Sequence, residues 1–140
     1  MTVSDLMRTD VVTAGPDTTA SDLGRDMRDE GVGSVVIVED GRPTGIVTDR
    51  DLATGVVAES ADPERRTARD LMTPDPVTVP ATAGVFELCD EFGSSRVRRM
   101  PVVADDGTLA GIVTLDDLHV MLVDEQHDLA RAVQASIPPY

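Results

Sequence analysis

The chain has 140 residues, 41% of them hydrophobic, which suits one ordinary domain and includes no apolar run long enough to cross a bilayer and no secretory-type leader. Its 26 acidic residues face 12 basic ones, all arginine, for a formal net charge of −14. Such a field repels nucleic-acid phosphates and anionic membranes, which argues against both as partners; the lack of a span and of a leader leads us to expect a cytoplasmic protein.

In chain order, Val11-Val12-Thr13 is a short extended piece, and "GPDTTASDL" is a turn entering a helix whose apolar stripe continues through Leu23 and Met27. "VGSVVIVED" reads as a buried strand rich in β-branched residues, "DGRPT" as a hairpin turn and "GIVT" as the returning strand. A helix restarts from Asp49 to Val57. The polar stretch "AESADPERRTARD", with Pro63, reads as a linker. The same order then recurs: "PVTV", a helix from about Ala83 to Phe92, a strand at "MPVVAD", a turn at "DGTL", "GIVT" again and a long final helix. Pro138 and Pro139 in the tail "SIPPY" bar that helix from continuing.

The recurrence is a true internal repeat. Displaced by 65 residues, Asp5-Leu6-Met7 falls on Asp70-Leu71-Met72, Asp10 on Asp75, Leu23 on Leu88 and Val32 on Val97. The displacement becomes 66 at Asp105-Asp106-Gly107, which has one residue more than Asp40-Gly41, and "GIVTDRDL" then matches "GIVTLDDL". An insertion is cheapest in a hairpin loop, where this one falls. Each half alone would have a marginal core, so the halves are expected to pack on each other. Residues 1–60 form the first unit, 61–69 a linker, 70–124 the second unit and 125–140 a helix end and tail.

Each half resembles a cystathionine-beta-synthase (CBS) domain, and residues 3 to about 124 resemble a free-standing CBS pair, or Bateman module. The D-L-M opening, the Val-Thr segment, the strand ending in an acidic turn and G-I-V-T-x-x-D-L carry the resemblance, each at matched spacing in both halves. It implies a mixed α/β (α+β) fold of two pseudo-twofold related units, each a small sheet flanked by helices and packed sheet to sheet. It further implies dimerisation into a flat disk.

Two readings of the repeated phrase stand side by side. Thr48 with Asp51, and Thr114 with Asp117, fit the S/T-x-x-D/E helix cap, which satisfies free N–H groups. The resemblance gives the same carboxylates a ribose and the same hydroxyls a ribose or phosphate of an adenosine ligand. Capping leaves lone pairs over, so both roles can coexist.

By the same resemblance, the base slots against Val32, Gly33 and Ser34 opposite Thr114 and Asp117, and Arg99 stands at a phosphate-contacting position. "SSRVRRMPVV" is the densest basic stretch, and guanidinium suits phosphate through bidentate, permanently charged donors; a set of solvated or surface-paired arginines is the alternative. In a second cleft Thr48 and Asp51 face Val97, Arg98 and Met100. Arg98 replaces a glycine there, either narrowing the slot or charging it, while Arg50 adds a positive group where its counterpart Asp116 is negative. The two sites are therefore expected to differ.

The expected function is a regulatory module, not an enzyme, binding AMP, ADP, ATP or another adenosyl compound, with Mg if the ligand is ATP. The alternative is a dimerisation or protein-interaction module with degenerate clefts. An unidentified client protein belongs to either reading. No Ser-His-Asp set, phosphate-binding glycine loop or Cys/His cluster is present, and His119 and His127, eight apart, are a weak metal signal. Cys89 lies in the apolar pattern Val85, Phe86, Leu88, Cys89, Phe92 and reads as a small buried hydrophobe. Leu115, Leu118, Leu122, Leu129 and Val133 make a stripe expected to be core at its start and a homodimer contact further on. The acidic, lysine-free composition resembles that of halophile proteins; codon bias in a high-GC genome produces the same pattern.

Overall fold

The computed structural model describes residues 1–138. The first half runs α1 (Val3–Leu6), β1 (Thr13–Ala14), α2 (Ala20–Glu30), β2 (Ser34–Glu39), β3 (Arg42–Thr48) and α3 (Asp49–Leu52), which passes into a π-helical turn at Ala53–Val57. The second runs α4 (Ala68–Leu71), β4 (Thr73–Pro74), β5 (Val79–Pro80), α5 (Val85–Ser95), β6 (Arg99–Val103), β7 (Leu109–Thr114) and α6 (Leu115–Ser136). Pro139 and Tyr140 lie outside the described residues; α6 has already ended at Ser136.

Local chemistry accounts for the boundaries. Thr19 accepts from the Asp22 N–H at 3.2 Å and starts α2, and Gly31, at φ 65°, ends it in the left-handed region glycine tolerates best. Arg96 holds the same place after α5 at φ 59°, a conformation costing a non-glycine residue about 1 kcal/mol. Glu39 pairs with Arg42 across Asp40 and Gly41, both at positive φ, so β2 and β3 close through the two-residue turn whose twist matches that of the strands. The extra residue of the second half falls in the loop between Val103 and Leu109, as expected.

One sheet has the order β1-β2-β3-β4 and the other β5-β6-β7. In each, a short strand lies parallel to the first strand of an antiparallel hairpin. The edge contact of β4 on β3, Ile46 with Thr73, has its counterpart in a bridge between Arg8 and Ile112. Both edge contacts cross between halves.

The exchange extends to the cores. Val3, fully buried, belongs to the cluster of Val79, Leu88, Phe92, Met100, Val102, Val113 and Leu118, and its N–H donates to the Ala83 carbonyl at 2.9 Å. Ala68 reciprocally joins Leu23, Met27, Val35, Ile37 and Val47, with its N–H on the Thr18 carbonyl at 2.8 Å. Each half thus completes its core with the opening helix of the other. The repeated phrases touch here: a Cβ at Gly111 would lie 2.7 Å from the Arg8 carbonyl oxygen and 2.8 Å from the Met7 sulfur, and one at Gly45 would meet Met72. Glycine begins "GIVT" because the D-L-M of the other half crosses it there.

Two side chains depart from the apolar pattern. Phe86 is 87% exposed, since Leu88 and Phe92 carry the buried face of α5 with Val85 and Cys89 at its margin, and Cys89 is half-buried rather than enclosed. Leu118 anchors the start of α6 in the core, while Leu122, Val123, Leu129 and Val133 along the rest of it, and Ile137 just past its end, are 43% to 65% exposed.

Candidate functional site

Two clefts open between the halves, and the repeat relates their walls. The first, about 390 Å3, is lined by Arg8, Asp10, Val12, Val32, Gly33 and Ser34 from the first half and by Ile112, Thr114 and Arg99 from the second. The second, about 400 Å3, is lined by Thr73, Asp75, Val77, Val97, Arg98 and Arg99 from the second half and by Ile46, Thr48, Asp49 and Arg50 from the first. Each volume suits a small organic molecule. Each cleft takes its opening segment and the entry to its first long strand from one half, and its strand end with the helix cap from the other.

Hydrogen bonding positions the corners. The Asp49 N–H donates to the Gly33 carbonyl at 3.0 Å, and the Leu115 N–H to the Arg98 carbonyl at 2.8 Å. Each strand-to-helix corner is thereby tied to the loop that enters the same sheet. Thr48 Oγ1 accepts from the Asp51 N–H at 3.2 Å while Asp51 Oδ2 accepts from the Thr48 N–H at 2.8 Å, a reciprocal cap. Thr114 Oγ1 accepts from the Asp117 N–H at 3.1 Å, but the carboxylate of Asp117 turns elsewhere. Arg8 takes it with two bonds, Nε to Oδ2 at 3.1 Å and Nη2 to Oδ1 at 2.9 Å. The Arg8 guanidinium holds the Asp117 carboxyl below the usual carboxylate range, against an opposing push from partial burial. The folded state therefore favours the ionised form, and this contribution to stability, full above the ordinary carboxylate pKa, is lost progressively as pH falls from there through the lowered value.

Of the residues singled out in the sequence, Val32, Gly33, Ser34, Thr114 and Arg99 come together on the first cleft, and Thr48, Arg50, Val97 and Arg98 on the second. Asp51 and Asp117 line neither cleft: Asp51 caps its own helix, and Asp117 is paired with Arg8. Met100 does not reach the second cleft: it is fully buried in the core, because the alternation of β6 turns it inward while Arg99 faces the cleft. Gly33 stays clear enough that a Cβ there would lie 3.4 Å from Asp49 Oδ2 and 3.7 Å from Arg99 Nη1. Arg98, at the glycine position of the other half, lines the second cleft and donates to Asp116 Oδ1 at 3.1 Å, with both side chains largely exposed.

The sequence alone does not single out Arg8, Asp10, Thr73, Asp75 or Asp49 as cleft residues. The repeat offered one signal for four of them, since Arg8 and Thr73 follow the two D-L-M openings and Asp10 and Asp75 coincide two residues later. His119 lies with Cys89, Phe92 and Leu122 in a groove between α5 and α6, away from both clefts. Among the described residues, no group of three or more His, Cys, Asp and Glu side chains is placed to hold a metal ion.

Both clefts set arginines against carboxylates. Arg50, Arg98 and Arg99 line the second cleft against Asp49 and Asp75; Arg8 and Arg99 line the first against Asp10 and Glu30. Arg99 lines both, and among the described residues neither Arg99 nor Arg50 is in an ion pair.

Comparison with known proteins agrees with the two-unit fold. The CBS domain model matches residues 3–58 and 68–124. The uncharacterized protein MK0525 of Methanopyrus kandleri is 40% identical over 119 residues, 84% of this chain, and the match spans 61% of that protein. Hypoxic response protein 1 of Mycobacterium tuberculosis is 31% identical over 139 residues, covering 99% of this chain and 95% of its own. The crystal structure of Hypoxic Response Protein I with two coordinated zinc ions superposes with a TM-score of 0.75 at 32% identity, over 85% of this chain and 97% of that one. The structure of CBSX2 in complex with AMP shares the fold, with a TM-score of 0.74 at 24% identity over 89% of this chain and 98% of its own.

Proposed function

This chain belongs to the CBS-domain family as a pair of such domains, and on that premise we propose that it is a regulatory module that binds an adenine nucleotide between its halves. One observation supports this above the others: Arg99, a cation without a carboxylate partner among the described residues, lines both clefts of a chain with net charge −14. An arginine held at a cleft of small-molecule size, beside a threonine hydroxyl, suits a phosphorylated ligand. The base has room at Gly33 in the first cleft. In the second, the apolar walls Ile46, Val77 and Val97 offer the base a surface while Arg50 and Arg99 offer its phosphate donors.

AMP, ADP and ATP, each at about 100 times its dissociation constant, should stabilise the fold by roughly 2.7 kcal/mol per occupied site. Thermal melts across a salt series check this. If all three leave the melting temperature unchanged in a folded sample, the module acts through protein contacts instead.

We also propose that the module is a homodimer joined through the exposed apolar face of α6. Two chains of −14 repel at long range, and roughly 1 M salt shortens the screening length to about 3 Å, so association should strengthen with salt. Sedimentation should find a dimer that tightens as salt is added. A monomer at every salt concentration, or a dimer that dissociates with salt, contradicts it.

A further inference from the structure

The two clefts treat equivalent carboxylates in opposite ways. Asp51 turns one oxygen back to its own helix cap, and its Oδ1 has no hydrogen-bond partner among the described residues. Asp117 gives both oxygens to Arg8, and its side chain is 24% exposed where that of Arg8 is 66% exposed. The repeat places Thr73 where the first half has Arg8, and a threonine has no guanidinium fork to offer. Arg8 itself lines the first cleft, with Thr114 and Arg99; Asp117 does not. A ligand entering the first cleft therefore meets Arg8 before the carboxylate.

Resting on the nucleotide reading, we propose that Arg8 is a specificity-determining residue, a latch that reserves the first cleft for ligands carrying a sugar diol and an anionic group together. A diol alone must displace an arginine from Asp117 and leave that arginine without its partner. A phosphate presents acceptor oxygens to the same fork, so a nucleotide can take the guanidinium with its phosphate as its ribose takes the carboxylate. The exchange leaves the guanidinium with an anionic partner and the carboxylate hydrogen-bonded to the diol. Of the acidic groups on the cleft wall, Asp10 and Glu30, Asp10 also attracts Arg8, yet it makes no hydrogen bond to it and cannot replace the bidentate contact. In the second cleft the arginines and Asp51 are not bonded to one another, so a nucleoside has no latch to open there.

Amide NMR titrations with adenosine and with AMP separate the clefts, because Gly33 lines only the first and Thr73 only the second. In wild type, AMP should shift both amides, whereas adenosine should act on Thr73 at concentrations that leave Gly33 little changed. Arg8→Ala, at an exposed position, should fold normally and strengthen adenosine binding at Gly33 by about fivefold, the weight of one exposed ion pair, without a matching gain for AMP. Arg8→Lys keeps the charge but loses the fork and should fall between. An unchanged ratio of AMP to adenosine affinity at Gly33 in Arg8→Ala, with AMP still titrating both amides, overturns the latch and leaves the nucleotide reading intact. Silence of both amides toward both ligands in every variant overturns the two together.

Discussion

Val3→Asp should cost about 3 to 5 kcal/mol of folding stability, the penalty of an unpaired charge in a core, and the damage should appear in the half to which Val3 does not belong. The side chain is fully buried among Val79, Leu88, Phe92, Met100, Val102, Val113 and Leu118, with no polar group there to receive a carboxylate. Denaturant titration gives the size of the loss. Hydrogen exchange gives its place: amides of β6 and β7 should lose protection before those of β2 and β3. Val57→Asp is the control, at an apolar position of the first half that is 77% exposed, and should change stability little. Protection lost equally from both sheets would show that the opening helix matters to the whole chain rather than to the core it enters.

Arg99→Ala should weaken AMP binding at both clefts by about 10- to 150-fold, which corresponds to losing a charge-assisted hydrogen bond of roughly 1.5 to 3 kcal/mol. Few single substitutions on this chain can reach two sites. Arg99 does so because it begins β6, at the seam where the walls of both clefts meet. Isothermal titration of the variant beside Arg131→Ala makes the comparison, since Arg131 lies on α6 and faces neither cleft. AMP affinity equal to wild type in Arg99→Ala would remove Arg99 from the site, and a loss confined to one cleft would make it a residue of that cleft alone.

Much of this architecture is legible in the residues. The duplicated order of elements, the Asp40-Gly41 turn and the Thr-x-x-Asp caps are local patterns, and each is found where its chemistry puts it. The exchange of opening helices is not legible for a physical reason. Because both halves carry the same D-L-M and the same "GIVT", the apolar pattern fits equally well whether a segment packs on its own half or on the other. Met100 shows a similar limit, since adjacent residues of a strand face opposite ways and a stretch dense in arginine does not say which of its members look outward. The Arg8–Asp117 pair joins residues 109 positions apart, with no pattern in either neighbourhood to announce it.

The exchanged helices also set an order of events during synthesis. Val3 is made about 6 to 23 s before Leu118 of its core at typical elongation rates of roughly 5 to 20 residues per second. Through that interval the helix that carries Val3 lacks the core it will enter, while the first sheet waits for Ala68 to arrive. The upstream half can close its core in mid-translation, but the downstream half must call back a segment made before the whole of the upstream half to finish its own.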